Sequence, residues 1–220
     1  MSRTKILIVV IGLLFSCATI NKFHNPVKKQ LDTQKRPFHP KAVQYFIRGA
    51  INELNNDYKS ALIDYSQALL YDSTSSTIHN KVAEQYIRLK EYDSAQKILE
   101  LCEKRFPDNI DTHFMLASIY YSQRNLSDAA RQYQKVLELD PEDVEARNYL
   151  IAIYMSQKED LKVAKEYEKI IQLGYGNPDL FIKVGDIYLT KKMFDPAKKL
   201  FDQLLSKHPN DERSYLAMAK

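Results

Sequence analysis

The sequence has few of the residues on which loop-rich and disulfide-stabilised proteins depend. Its 220 residues include five glycines, two cysteines and no tryptophan. So few glycines argue against a loop-rich or β-sandwich design, and this length is enough for one substantial domain or a short repeat array without disulfide bonds. A hydrophobic fraction of 45% beside a charged fraction of 27% is typical of a soluble, well-packed protein, for which helices are the first expectation.

A strong excess of charge of one sign is also absent. The formal net charge is +4, and removal of a leader that contains Arg3 and Lys5 would leave +2. Proteins that bind nucleic acid usually carry a pronounced basic patch. We therefore predict no nucleic-acid partner.

The sequence lacks the common catalytic and cofactor motifs. It has no Gly-rich phosphate loop, no H-E-x-x-H, no C-x-x-C and no G-x-S-x-G. His79 and His113 could meet at a seam, but no third ligand repeats with them, so packing is favoured over a metal site. Cys102 is interpreted as a small buried hydrophobe rather than a reactive thiol. We predict a non-enzymatic protein with no cofactor and no metal.

The N-terminus has an apolar run that is too short for a transmembrane helix. Cations at Arg3 and Lys5 precede an apolar core of ten residues, Ile6 to Phe15, whereas a spanning helix needs about 20. Small residues then follow at Ser16 and Ala18. This order of cations, apolar core and small residues predicts an export signal over residues 1–16.

The end of that core, Leu14-Phe15-Ser16-Cys17, resembles the lipobox of bacterial lipoproteins. The resemblance implies cleavage before Cys17 and attachment of lipid to its thiol, which would hold the chain on a membrane. Ala18 in the next position implies, by the same resemblance, an outer-membrane lipoprotein of the bacterial cell envelope that faces the periplasm. Two alternatives are a secretory signal that is cleaved without lipidation and an uncleaved anchor.

Residues 17–41 are predicted to form a flexible tether. From Ala18 to Pro40 the segment contains Pro26, Pro37 and Pro40, five basic residues and a single acid at Asp32. Its low hydrophobicity leaves too little apolar area to offset the entropy lost on ordering. Its cations would either contact anionic lipid headgroups or simply be solvated.

The rest of the chain repeats with a period of 34 residues. Small or apolar residues recur at Ala61, Ala95, Ala129, Val163 and Ala197, with large residues four positions later at Tyr65, Leu99, Tyr133, Tyr167 and Phe201. A second set recurs upstream at Gly49, Ala83, Ala117, Ile151 and Gly185. Apolar residues at steps of three and four within each unit predict two amphipathic helices, which can bury their apolar faces only by stacking on neighbouring units.

This pattern of equivalent positions every 34 residues, which we call the repeat lattice, resembles the tetratricopeptide repeat (TPR) family. The resemblance implies an all-α, right-handed α-solenoid of helix-turn-helix pairs, with five units over residues 42–211 and the start of a truncated sixth at 212–220. Unit 4 departs from the pattern, with Ile151 in the small position and Gly174 and Gly176 in its exit. Either a bend between units 4 and 5 or a tolerated local departure would explain this.

In the TPR family one face of the first helices lines a concave groove, so the resemblance implies a partner site there. The predicted groove combines apolar and acidic side chains: Phe46, Asn80, Glu84, Asp111, Phe114, Tyr121, Glu145, Asn148, Met155, Asp179, Ile182, Asp186 and Leu189. Such a surface favours a protein or peptide with hydrophobic anchors and basic flanks. The carboxylate clamp of chaperone-binding family members is not reproduced. Alternatively, several of the apolar residues only pack between helices.

These features together predict a membrane-tethered scaffold that binds a partner protein, in the assembly of envelope, secretion or pilus complexes by analogy with lipid-anchored repeat proteins. A second interpretation makes the chain the N-terminal part of a longer envelope enzyme. A third makes it a self-associating module that uses the uncovered end of the sixth unit.

Overall fold

The computed structural model describes residues 39–219, and this part of the chain is helical throughout, with no β-strand. The predicted signal peptide, the lipidation site Cys17 and residues 17–38 of the tether lie outside the described residues. The helices are α1 (Pro40–Leu54), α2 (Tyr58–Tyr71), α3 (Ser76–Arg88), α4 (Tyr92–Arg105), α5 (Ile110–Ser122), α6 (Leu126–Leu139), α7 (Val144–Ser156), α8 (Asp160–Ile170), α9 (Pro178–Thr190), α10 (Phe194–Lys207) and α11 (Glu212–Met218).

Each helix packs against the next one along the chain, and first helices of neighbouring pairs also touch, as α3 does with α5 and α9 with α11. We refer to the pairs α1–α2, α3–α4, α5–α6, α7–α8 and α9–α10 as units 1 to 5. The predicted fold class is confirmed: the chain is an α-solenoid of stacked helix pairs. None of the helices in residues 39–219 has the length and apolar character that a membrane crossing would require.

The helix boundaries follow from short polar side chains that recur with the repeat. Ahead of the first helices from α3 onward, side-chain oxygens of Ser75, Asn109, Asp143, Asn177 and Asp211 accept backbone N–H bonds from the first turn. These caps satisfy N–H groups that have no partner inside the helix. The turn within each pair places one non-glycine residue at a φ between 58° and 63°: Asn56, Lys90, Arg124, Lys158 and Lys192.

The core of each unit lies between a small residue on the first helix and a large one on the second. Tyr65, Leu99 and Tyr133 are fully buried, and Phe201 is nearly so. Unit 4 differs because its small position holds Ile151, which is itself buried, while Tyr167 on the second helix is only half-buried. We attribute the outward position of Tyr167 to the volume that Ile151 fills.

The exit of unit 4 is a wide helical turn of the π type at Ile171–Tyr175. Gly174 has a φ of 93°, a backbone conformation that side-chain-bearing residues rarely adopt. One buried apolar cluster ends at Ile170, and a second runs from Ala164 to Ala217. The two clusters therefore overlap in sequence on α8, just ahead of the irregular segment.

Gln85 on α3 is a buried polar side chain without a partner. It is fully buried, and neither its amide oxygen nor its amide nitrogen has a hydrogen bond among the described residues. The equivalent positions of the other units hold isoleucine: Ile51, Ile119, Ile153 and Ile187. A buried amide without hydrogen bonds lowers stability, since it has lost its bonds to water.

We therefore expect Gln85→Ile to raise the free energy of unfolding by about 1–3 kcal/mol. Urea denaturation followed by circular dichroism would measure the change. The matched control is Gln44→Ile on the exposed surface of α1, which should leave stability almost unchanged. No gain from Gln85→Ile would mean that the buried amide is satisfied in solution.

Candidate functional site

Four aromatic rings meet where units 3 and 4 join, and we call this group the aromatic cluster: Phe114, Tyr121, Tyr133 and Tyr149. Tyr149 stacks on Tyr133 with 4.9 Å between ring centroids and 2° between ring planes. Phe114 contacts both of these rings edge-on at 5.5 and 6.0 Å, and Tyr121 contacts Tyr149 at 5.7 Å. Offset and edge-to-face pairs of this kind are favourable, so the four rings hold one another in a fixed arrangement.

The four rings of the aromatic cluster differ in how deeply they are buried. Tyr133 is fully buried, and its hydroxyl lies 3.3 Å from Ser118 Oγ. Burial raises the pKa of Tyr133 well above its ordinary value, so its hydroxyl is neutral at physiological pH. Phe114, Tyr121 and Tyr149 are half-buried, and each leaves part of its ring available to a ligand.

Negative charge borders the aromatic cluster. Glu145 at the start of α7 is exposed and close enough to Tyr133 to contribute to its raised pKa. Asp111 at the start of α5 is also exposed. Neither carboxylate has a lysine or arginine nitrogen within ion-pair distance among residues 39–219. A basic group brought to this surface would therefore meet two carboxylates that no described cation neutralises.

Two lysines, Lys81 and Lys183, lie on the same face of the solenoid, one on either side of the aromatic cluster. Lys81 on α3 lies 2.7 Å from Glu84 and 3.4 Å from Glu53 of unit 1, whose other oxygen accepts a bond from Tyr65. Burial alone would lower the pKa of Lys81, but the two carboxylates outweigh it and raise the pKa. On α9, Lys183 lies over the Tyr167 ring and donates to its hydroxyl at 2.9 Å. These cations are already engaged within the protein.

The predicted groove residues fall into three groups by exposure. Exposed are Asp111, Glu145, Asn148, Met155 and Asp179; half-buried are Phe46, Glu84, Phe114, Tyr121, Ile182, Asp186 and Leu189; Asn80 is buried. The structure brings Phe114 and Tyr121 together through Tyr149, while Phe46 packs on Tyr65 and Asp179 pairs with Arg213 of α11 at 2.7 Å.

The placement of Asn80 in the groove was wrong. Its side chain is 5% exposed; the amide nitrogen donates to Asn109 Oδ1 at 3.0 Å and the amide oxygen accepts from Thr112 Oγ1 at 2.8 Å. Asn109 in turn donates to Ser76 Oγ at 3.1 Å. Asn80 belongs to a polar seam that joins units 2 and 3, and these bonds leave it unavailable to a partner.

Three residues of this face were absent from the sequence-based prediction: Lys81, Tyr149 and Lys183. They occupy one lattice position, immediately after that of Asn80, Asn148 and Ile182. The available signal was that this repeated position varies between lysine, tyrosine and aliphatic residues instead of keeping one apolar type. The same position holds Ile47 in unit 1 and the half-buried Met115 in unit 3.

Both histidines, His79 and His113, make hydrogen-bond contacts within the solenoid. His113 donates from Nε2 to the Pro107 carbonyl at 2.7 Å, and its Nδ1 lies 2.7 Å from the Gln132 side chain. His79 Nδ1 lies 2.8 Å from the Ser75 carbonyl. Among residues 39–219, no group of three His, Cys, Asp or Glu side chains is arranged to hold a metal. Cys102 is fully buried, and burial raises the pKa of its thiol, so a thiolate is disfavoured there.

A concavity that shares no lining residue with the aromatic cluster lies between α6, α7, α8 and the irregular segment after α8. It has a volume of about 580 Å³ and is lined by Leu137, Leu150 and Leu173 beside the ion pair of Arg147 and Glu166. Arg147 Nη1 lies 2.6 Å from Glu166 Oε2, and Nη2 donates to the Pro141 carbonyl at 2.6 Å. Arg147 thus fixes the same inter-unit loop position that His113 fixes in unit 3.

Two tetratricopeptide repeat models match the chain, one over residues 114–178 and the other over residues 81–109 and 179–211. Together these ranges cover more than half of the 220 residues. The chain therefore belongs to the tetratricopeptide repeat proteins. A comparison with curated protein sequences gives no match.

Solved structures share the fold at low sequence identity. A tetratricopeptide repeat protein from Parabacteroides merdae is 16% identical, covering 81% of this chain and 71% of that one, with a TM-score of 0.60. YrrB, described as a TPR protein with an unusual peptide-binding site, is 21% identical over 81% of this chain and 92% of its own, with a TM-score of 0.56. The first TPR domain of Spaghetti (RPAP3), bound to the HSP90 peptide SRMEEVD, is 22% identical over 55% and 95%, with a TM-score of 0.52.

Proposed function

We propose that this protein is a non-enzymatic scaffold that captures a segment of a partner protein on the aromatic cluster. The observation that carries the proposal is the combination of three half-buried aromatic rings with two exposed carboxylates that have no described cationic partner. Partly exposed aromatic side chains on a rigid support are typical of interaction hot spots. Unpaired charge beside them selects the sign of the partner.

The partner segment that fits this surface carries apolar anchors and basic flanks. Lysine or arginine could pair with Asp111 or Glu145, and could also lie over a ring of the aromatic cluster, because the face of an aromatic ring attracts cations. The HSP90 peptide bound by RPAP3, SRMEEVD, has more acidic than basic side chains. The acidic border of the present site opposes such a peptide, so a different partner class is expected.

The scaffold is proposed to act at a membrane, as an outer-membrane lipoprotein held through lipid on Cys17 and facing the periplasm. The support for this is the order of cations, apolar core and lipobox-like residues at the N-terminus. Intact mass spectrometry of the protein extracted from native membranes tests it. A mass that begins at Cys17 with a lipid adduct supports the anchor, and an unmodified mass that begins elsewhere removes the membrane from the mechanism.

Reversal of the charge beside the aromatic cluster tests the partner class. Two synthetic peptides would be compared, with the same apolar anchors but either Lys/Arg or Glu flanks. The unaltered protein should bind the basic peptide more tightly, and Asp111→Lys/Glu145→Lys should weaken that binding by about tenfold, because attraction becomes repulsion. Isothermal titration calorimetry measures both affinities.

The matched control for this experiment is Glu142→Lys/Asp202→Lys, which makes the same change in net charge at exposed positions elsewhere on the solenoid. It should leave peptide affinity nearly unchanged. Charge reversal is preferred to alanine at Phe114 and Tyr121, because both rings pack on the core and their removal would also lower stability. Equal affinity for the two peptides, or equal effects of the two double variants, would contradict the proposed site.

A further inference from the structure

Unit 1 exposes large apolar side chains along its first helix. Val43, Ile47, Ile51 and Leu54 of α1 are 40%, 43%, 48% and 68% exposed. Their spacing of three and four residues places them on one face of the helix. We call this set the α1 apolar stripe.

Two of the four positions of the stripe, those of Val43 and Leu54, hold apolar residues only in unit 1. The positions equivalent to Leu54 hold Arg88, Ser122, Ser156 and Thr190, and those equivalent to Val43 hold Thr77, Asp111, Glu145 and Asp179. On α2, Ile63 and Leu70 are 63% and 77% exposed, whereas the positions equivalent to Ile63 hold Lys97, Arg131, Lys165 and Lys199. Stacking of the solenoid therefore does not require apolar residues at these places.

Positive charge borders the α1 apolar stripe. Lys41 and Arg48 are exposed on α1 and, at 100° per residue, lie on one side of the stripe. Arg48 is paired with Asp64 at 2.9 Å, whereas the Lys41 amino group lies over the Tyr71 ring. The only acid of α1, Glu53, is engaged with Tyr65 and Lys81. The helix begins at Pro40, within the last two residues of the predicted tether, and between Ala18 and Pro40 five basic residues outnumber one acid. The stripe thus lies on the helix that is closest in sequence to the predicted lipidation site and to the basic residues of the tether.

We propose that the α1 apolar stripe is a lipid-binding surface that lies in the headgroup region of an anionic bilayer. An amphipathic helix with an apolar face and cationic margins lies in the plane of the membrane interface. Four side chains give weak binding, but a lipid tether raises their local concentration at the surface. The inference rests on the proposed tether, and it adds an orientation: unit 1 lies against the bilayer and the aromatic cluster is carried away from it.

The absence of tryptophan from the sequence permits a site-specific test. Ile47→Trp places a single reporter in the α1 apolar stripe, and Leu101→Trp places one on α4 at a side chain that is 57% exposed. Both full-length acylated proteins are reconstituted into vesicles of phosphatidylethanolamine and phosphatidylglycerol with brominated acyl chains. Fluorescence from Ile47→Trp should be quenched at least about twofold more than fluorescence from Leu101→Trp. Adding Leu54→Glu to the Ile47→Trp protein should remove most of that difference.

Each other outcome overturns a defined part of the proposal. Protein that does not float with the vesicles overturns the tether and the stripe together. Protein that floats while both reporters are equally quenched overturns the stripe alone. If the emission of Ile47→Trp is already shifted to the blue without vesicles, the stripe is covered by protein: a shift that grows with concentration identifies a second copy, and a constant shift identifies another segment of the same chain.

Discussion

A Gly185→Ala variant is expected to lose about 2 kcal/mol of its free energy of unfolding, because a well-packed interior does not accommodate an added methyl group. A Cβ at Gly185 would lie 2.2 Å from two ring carbons of Phe201, far inside van der Waals contact. Phe201 is 4% exposed, so its ring cannot move into solvent without losing its packing. Hydrogen exchange should place the loss in α9, α10 and α11, and urea denaturation gives its size.

A second substitution tests whether the Phe201 ring causes the loss of stability in Gly185→Ala. In unit 2 the equivalent pair is Ala83 and Leu99, both fully buried. Gly185→Ala/Phe201→Leu recreates that pair in unit 5, and it should be more stable than Gly185→Ala alone. A Gly185→Ala variant as stable as the unaltered protein would show that the two helices of unit 5 can separate at little cost.

Arg147→Ala is expected to destabilise unit 4 by about 2–4 kcal/mol, because it leaves a carboxylate in a partly buried site without its partner. Arg147 is 6% exposed, and the side chain of Glu166 is 21% exposed. The substitution also removes the bond to the Pro141 carbonyl. Thermal and urea denaturation of the variant would measure the loss.

The equivalent positions of another unit show which apolar residues can replace this ion pair. The positions of Arg147 and Glu166 correspond to Phe181 and Leu200 in unit 5, both of which are buried. Arg147→Phe/Glu166→Leu should therefore restore stability to the level of the unaltered protein or above it, since an apolar pair of similar volume avoids the desolvation of two charges. A double variant as unstable as Arg147→Ala would mean that the loop contact to Pro141, rather than the ion pair, holds this position.

The sequence by itself determined the secondary structure and the stacking. A period of 34 residues with small, large and capping residues in fixed places dictates helix pairs, because each pair can bury its apolar face only against a neighbour. The burial of Tyr65, Leu99, Tyr133 and Phe201 follows directly from that lattice. The N-terminal lipid anchor stays a prediction from sequence.

Only the tertiary structure decided which side chains of the groove face are free. Asn80 and Asn148 share a lattice position, yet Asn80 is buried in a polar seam and Asn148 is exposed. The difference arises from the neighbouring unit: Thr112 and Asn109 present polar groups to Asn80, and contacts between residues about 30 positions apart are not encoded in helical periodicity. The aromatic cluster also depends on contacts between units, because Tyr149 joins it by stacking on Tyr133 of the preceding unit.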